Sequence, residues 1–531
     1  MAQSTAAKST RPSGGSAAAS AAKLSVITLA IMNVTAVVSL RGLPSEATYG
    51  LTSVFYYVFA AIFFLVPVSI VAAELATGWP QKGGVFRWVG ESFGARWGFL
   101  AIFLLWCEST IWFPTVLTFG AVAIAFAGPD QPWDKALASN KFYTIAIVLA
   151  VYWGATLTAL RGLHSASRIA KWGGMIGTII PAAILIVLGF AYLFSGRPIQ
   201  ISLGWRELLP DFTHFSNLVL AAGIFLYYAG MEMNAIHVKD IDNPSRNYPL
   251  AILMSSVVTV AIFVLGTLAI AFIIPSTQIN LVQSLLTTYD SFFRTFGLSA
   301  LGPVMAVALA FGVLGGVTVW VTGPSTALAV VGRAGYLPPF FQKLNKHGAP
   351  SHILLVQGLI VTFLSVMFVV LPSVQAAYQI LSQLTVTLYL IMYLLMFAAA
   401  IHLRYSEPNT PRPYRVPFGT AGMWIFAGVG LIGSLVAFVL SFVPPSQIKV
   451  GSSATYVFIL IAGNVIFVAI PLIIHAVRKE HWKTAEGTAD FEPFNWEREQ
   501  RMPGTPQGAT KVDVASGGSK PDASSGRHAA S

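Results

Sequence analysis

About twelve apolar runs, most of them twenty residues or longer, follow one another along this chain. They fall near 24–43, 51–75, 97–127, 143–160, 171–195, 215–238, 248–274, 299–332, 351–372, 377–403, 420–443 and 453–477. A helix of about 20 apolar residues crosses the roughly 30 Å of hydrocarbon in a bilayer. Only 10% of the 531 residues are charged, whereas soluble domains carry about a quarter. Too little charge is present to coat the several soluble domains that a chain of this length would otherwise form. The pattern predicts an all-α polytopic membrane protein.

The net charge of +11 raises the question of nucleic acid, but the basic residues sit in loops and tails between apolar runs, not on one face. The expected surroundings are a lipid bilayer and a small molecule, with no nucleic acid. With the amino terminus placed inside, the inner loops hold 14 Lys and Arg against seven in the outer ones, Arg41 being counted among the seven. Both termini are therefore expected in the cytoplasm of a cell with this protein in its inner membrane. Residues 1–23 read as a disordered tail, 24–477 as a twelve-helix membrane domain, and 478–531 as a second, mostly disordered tail. Within the domain, 24–195 and 215–403 are expected to be two repeats, with 420–477 added. The single cysteine, Cys107, lies in an apolar run and cannot form an intrachain disulfide.

Two spans carry polar or small residues where an uninterrupted helix normally would not. The first reads AIMNVTAVVSLRGLP and the sixth IFLYYAGMEMNAIHVKD. They open what would be two halves, spans 1–5 and 6–10, the arrangement expected of an inverted-repeat transporter with a central site. Each break frees N–H groups suited to a carboxylate and carbonyls suited to an ammonium. An amino acid supplies one of each. Backbone from Asn33 through Val34, Thr35 and Ala36 to Val37 is expected to unwind and hold the carboxylate. The stretch Tyr228 to Glu232, including Gly230, is expected to hold the amine. Packing of small residues or a simple kink is the other reading of both segments.

Ionisable residues at mid-membrane depth are costly and mark function or internal pairing. Glu232, at the span 6 break, can bind an amine, carry a proton, sense pH, or fix the broken helix through hydrogen bonds. Glu108 lies mid-way along span 3 and either faces substrate or makes a polar contact between helices. Glu74 ends span 2 and reads as structural. Lys171 opens span 5, where it is a candidate for proton coupling or a side chain that reaches the interface. Tyr227, Tyr228, Trp112, Trp320, Thr318 and Thr322 are candidate walls, since aromatic faces attract ammonium groups. No phosphate loop, metal-binding spacing or nucleophile elbow occurs. A membrane-embedded enzyme, or a receptor that binds without transporting, is thus the remote alternative, and no metal or cofactor is expected.

Several segments carry a family resemblance. These are AAELATGWPQKGGVFRWVGESFGARWGF after span 2, HVKDIDNPSRNYPLA after span 6 with Asn243, Pro244, Arg246 and Pro249, and VTGPSTAL with GYLPPFFQKLNKHGAP in and after span 8. The chain resembles the amino acid–polyamine–organocation transporters, and most closely their bacterial glutamate/γ-aminobutyrate antiporter branch. The resemblance implies a leucine-transporter-type fold of five plus five inverted helices with two more, alternating access, and substrate between spans 1, 3, 6, 8 and 10. Glu232 stands where that branch has a glutamate linked to substrate handling or pH response. The departures are Glu108, where an uncharged polar residue is expected, the stretch SLRGLPSEATYG, and a carboxyl tail unlike the plug of acid-resistance antiporters.

The expected function is secondary transport of an amino acid, by exchange for its amine or coupled to protons, with a cationic amino acid or polyamine carrier as the alternative. Glu108 and Glu232, both ionised in one cavity, would favour a cationic amine; protonation of either restores compatibility with glutamate. In some proton-coupled relatives a span 5 lysine takes the sodium position, a role that Lys171 would fill here. Uptake into proteoliposomes should then proceed equally in sodium and in choline buffers, and a steep sodium requirement would reject that role.

Overall fold

The computed structural model describes residues 25–128, 131–161, 172–210, 219–232, 241–446, 449–484, 487 and 491–501. Among these there is no strand, and ten helices are long and apolar enough to cross a membrane. They are Gly50–Gly78, Ala95–Ala125, Lys141–Leu160, Trp172–Phe194, Arg246–Ile273, Leu301–Tyr336, Ser351–Val370, Val374–Ser406, Gly419–Ser441 and Ser453–Ala476, here spans 2–5 and 7–12. Helices satisfy their own backbone groups, which hydrocarbon cannot do. The ends agree with the hydropathy reading to within a few residues, because the transition from apolar to polar sequence sets them locally.

Span 1 is a broken helix. Its first half runs Val26–Val37, its second Leu40–Ala47, and the two are bent by 44°. The segment Asn33 to Val37, expected to be unwound, is helical; the backbone opens instead at Val38 and Ser39, both extended. The polar side chains do not disturb the helix because each has a partner. The Thr35 hydroxyl donates to the carbonyls of Ile31 and Met32 at 2.9 and 3.0 Å, a bond that helical backbone readily accepts. The Asn33 amide donates across to Ser255 of span 7 at 3.4 Å. The span therefore continues past residue 43, and Leu40 to Ala47 are all buried. Arg41, taken from the sequence as an outer-loop residue, lies inside the bundle with 2% exposure.

Span 6 begins as the helix Gly223–Tyr228 and opens at Ala229 and Gly230, within the expected segment. Gly230 has φ of 108°, in the left-handed region that glycine alone enters freely. Residues 233–240 lie outside the described residues, as does Lys171. In chain order the broken span 1 precedes spans 2–5, and the helix Gly223–Tyr228 precedes spans 7–12.

Span 3 is the axis of the bundle. Nearly all of Ala95–Ala125 is buried, packed against spans 8 and 10 and the short helix Val85–Phe93. At the end where span 2 finishes, Glu74 binds Arg404 at 2.5 Å and Arg412 at 3.3 Å, and accepts the Val416 amide at 2.6 Å. This joins span 2 to span 10 and to the loop beyond it, the structural part expected of Glu74. Of the stretch 478–531, residues 478–484 include the turn Glu480–Trp482, whose Trp482 is buried. The Gln342 amide donates to the Trp482 carbonyl at 2.8 Å, and the Thr484 hydroxyl to the Arg333 carbonyl at 3.1 Å. A separate unit, residues 493–531, contributes the helix Asn495–Arg501.

Spans 5 and 8 meet through glycine. A Cβ on Gly177 would fall inside the backbone of Gly312, and one on Gly173 would lie 2.8 Å from Gly315 Cα. Gly177 sits in a π-helical turn, Met175–Ile179, that interrupts span 5. Close backbone approach of this kind is how small residues pack membrane helices. Gly177→Leu should lower stability by about 1–3 kcal/mol through overpacking. Gly174→Ala, whose new methyl would meet only Thr35 at 3.7 Å, should stay near wild type. Thermal unfolding in detergent of both variants checks the pair.

Candidate substrate site

A cavity of about 50 Å³ lies beside both breaks. Span 1 contributes Val37, Ser39 and Arg41; span 3, Glu108 and Trp112; span 6, Leu226, Tyr227 and Ala229; span 8, Trp320; span 10, Tyr389. These are the five spans between which the sequence resemblance puts a substrate. Ordinary small-molecule sites begin near about 300 Å³, so an amino acid enters only if these walls separate.

Arg41 reaches this cavity because the break turns span 1 directly before it. One guanidinium nitrogen donates to the hydroxyls of Thr115 and Tyr378, each at 3.2 Å. The guanidinium carbon lies 5.4 Å from the Trp112 ring centre and 5.9 Å from that of Tyr227, within cation–π range. Gly42 makes this possible: a Cβ there would lie 2.5 Å from the Tyr227 ring. Glu108 is 2% exposed, and its Oε1 has no hydrogen-bond partner. Glu232 and Arg41 are the charged groups that act on it.

Glu232 is engaged from three sides. Tyr389 donates to Oε1 and Tyr393 to Oε2, each at 2.6 Å, and the Gly230 amide donates to Oε2 at 3.2 Å. The same amide reaches the Tyr393 hydroxyl at 3.1 Å. The carboxylate thus meets the cavity through Tyr389, and it also ties the open turn of span 6 to span 10. Next to the site, Glu46 is fully buried; Ser45 donates to its Oε1 at 3.1 Å and lies 3.1 Å from the Tyr227 hydroxyl, while Oε2 has no partner.

Of the residues named from sequence, Val37, Glu108, Trp112, Tyr227 and Trp320 line the cavity, and Glu232 and Gly230 stand behind Tyr389. Asn33 faces span 7, and Thr35 is exposed with its hydroxyl bonded inside its own helix. Val34 is buried outside the lining, and Ala36 continues the helix. Tyr228 points to span 2, donating to the Tyr57 carbonyl at 3.2 Å. Thr318 and Thr322 bond back to carbonyls within span 8. Arg41, Ser39, Tyr378, Tyr389 and Tyr393 were missed. The tyrosines carry a readable signal, since positions 378, 389 and 393 share one helical face. Among the described residues no cluster of His, Cys, Asp and Glu could hold a metal ion.

The profile of the amino acid permease family matches residues 24–464. The chain belongs to that family. It is a membrane transport protein whose fold is about twelve helices. It is 40% identical to an uncharacterised transporter of Legionella pneumophila, over 84% of this chain and 95% of the relative. It is 33% identical to a glutamate/γ-aminobutyrate antiporter of Lactococcus lactis, over 85% and 90%. A probable agmatine/putrescine antiporter of the same species is 24% identical over 81% and 89%.

Because one carboxylate receives both hydroxyls, the two contacts should act as a unit. Glu232→Gln and Tyr389→Phe should each slow transport without lowering the yield of folded protein. The double variant should lose no more than the weaker single one, since residues in direct contact are non-additive. Rates of counterflow for the three variants check this, and strictly additive losses would show that the two groups act independently.

Proposed function

We propose that this permease exchanges an amino acid for the amine left by its decarboxylation, with glutamate and γ-aminobutyrate as the favoured pair. The observation that carries the reading is that one small cavity is lined by both a fixed cation, Arg41, and Glu108. A guanidinium stays charged at any physiological pH, so it offsets the two carboxylates that would by themselves exclude glutamate. The antiporter relative at 33% identity supports the same pair.

The substrate carboxylate would meet the start of the second half of span 1, at Ser39 to Arg41, where the first N–H groups of a half-helix lack a preceding turn. The ammonium would meet the open carbonyls near Ala229 and Gly230, with Trp320 and Tyr227 as aromatic walls. Rocking of spans 1, 2, 6 and 7 against the remainder would expose this site to each side in turn. Proton symport is the competing mode, with Glu232, Glu108 and Lys171 as the groups to test. We place the protein in the inner membrane with both termini in the cytoplasm. The burial of Arg41 strengthens the charge argument, since the outer loops then hold 7 − 1 = 6 basic residues against 14.

A carrier of cationic amines is the second reading, supported by the two carboxylates and by the agmatine/putrescine relative. Proteoliposomes loaded with unlabelled glutamate, γ-aminobutyrate, arginine or putrescine, and given the same labelled compound outside, separate the two. Accumulation with glutamate and γ-aminobutyrate is expected; accumulation with arginine or putrescine alone would move the assignment to cationic amines.

A further inference from the structure

Arg41 and Glu108 are each 2% exposed, and both line the cavity. Each also keeps one buried polar atom without a hydrogen-bond partner, Nε of Arg41 and Oε1 of Glu108. A charged group held out of water with its hydrogen-bonding capacity unfilled is costly. Their being two such atoms of opposite sign on one cavity wall points to a ligand that supplies both complements. Thr115 and Tyr378 orient the guanidinium but use only one of its nitrogens.

The position of Arg41 adds a second argument. It lies in the first turn of the half-helix Leu40–Ala47, and a helix start carries partial positive charge. A cation there is unfavourably placed on its own. A carboxylate arriving beside it neutralises the guanidinium and the half-helix terminus together.

We propose that Arg41 is the carboxylate-recognition residue of this cavity and Glu108 its ammonium-recognition partner, so that the pair selects substrates bearing both charges and rejects diamines. This rests on the exchange reading above and assigns the charge selection within it. The substrate class is then an amino acid with a carboxylate and an ammonium separated by a short chain. Glu232, occupied by Tyr389 and Tyr393, is left out of the charge selection.

The test is the ratio of glutamate to putrescine counterflow in proteoliposomes holding wild type, Arg41→Gln, Arg41→Lys or Glu108→Gln. Loss of a charge-assisted contact should change affinity by about tenfold or more. Arg41→Gln should therefore lower the glutamate-to-putrescine ratio at least that far, and Glu108→Gln should raise it. Arg41→Lys keeps the charge without the planar fork and should recover part of the ratio. Protection from heat unfolding by glutamate, set against putrescine, reads the same preference in detergent should a variant reconstitute poorly. A ratio that stays constant while all rates fall would overturn the proposal, assigning Arg41 to structure alone, and would leave the exchange reading standing. A wild type that moves neither glutamate nor γ-aminobutyrate would overturn both.

Discussion

The bonds from Tyr389, Tyr393 and Gly230 to the Glu232 carboxylate are the contact on which the centre of the bundle depends. Opening a helix in hydrocarbon strands backbone N–H and carbonyl groups, and the chain tolerates this only where other protein encloses them. At span 6 the carboxylate takes up the Gly230 amide, and span 10 supplies the two hydroxyls that hold the carboxylate. The open turn is thereby fastened to a long, unbroken helix. The turn thus stays open at Ala229 and Gly230 without collapsing into an ordinary helix.

Span 1 solves the same problem differently. Its break at Val38 and Ser39 has no carboxylate to cap it, and the residue that follows two positions later is a buried arginine. Charge inside a low-dielectric bundle must be balanced close by, since attraction weakens with distance while desolvation does not. Here Glu108 of span 3 lines the same cavity within electrostatic reach, with the Thr115 and Tyr378 hydroxyls and the Trp112 face completing the surroundings. The two departures noted in the sequence, a carboxylate in span 3 and the SLRGLPSEATYG stretch, thus meet at one place. The carboxylate in span 3 and the arginine in span 1 share one cavity wall.

The two breaks were not equally legible. Gly230 lies in a segment of small and polar residues, and a glycine that permits positive φ is a local property, so the opening at Ala229 and Gly230 falls inside the segment expected. In the first span Asn33 and Thr35 looked like the interruption. Thr35 bonds back to its own helix and Asn33 reaches span 7, so neither opens the backbone. Arg41 was counted as an outer-loop residue because it lies two residues from the expected end of the span at 43, whereas the half-helix Leu40–Ala47 buries it.

What the sequence by itself determined is the number and limits of the long spans, the family, and the presence of two special helices. Hydropathy, glycine and charge are properties of neighbouring residues, and they survive without knowledge of the fold. Which polar groups meet was decided by tertiary structure alone. That depends on the rotation of each helix about its axis and on the residue at which span 1 bends. Packing against spans 3, 8 and 10 sets both. A shift of the bend from residues 33–37 to 38–39 carries Asn33 away from the cavity and brings Arg41 into it.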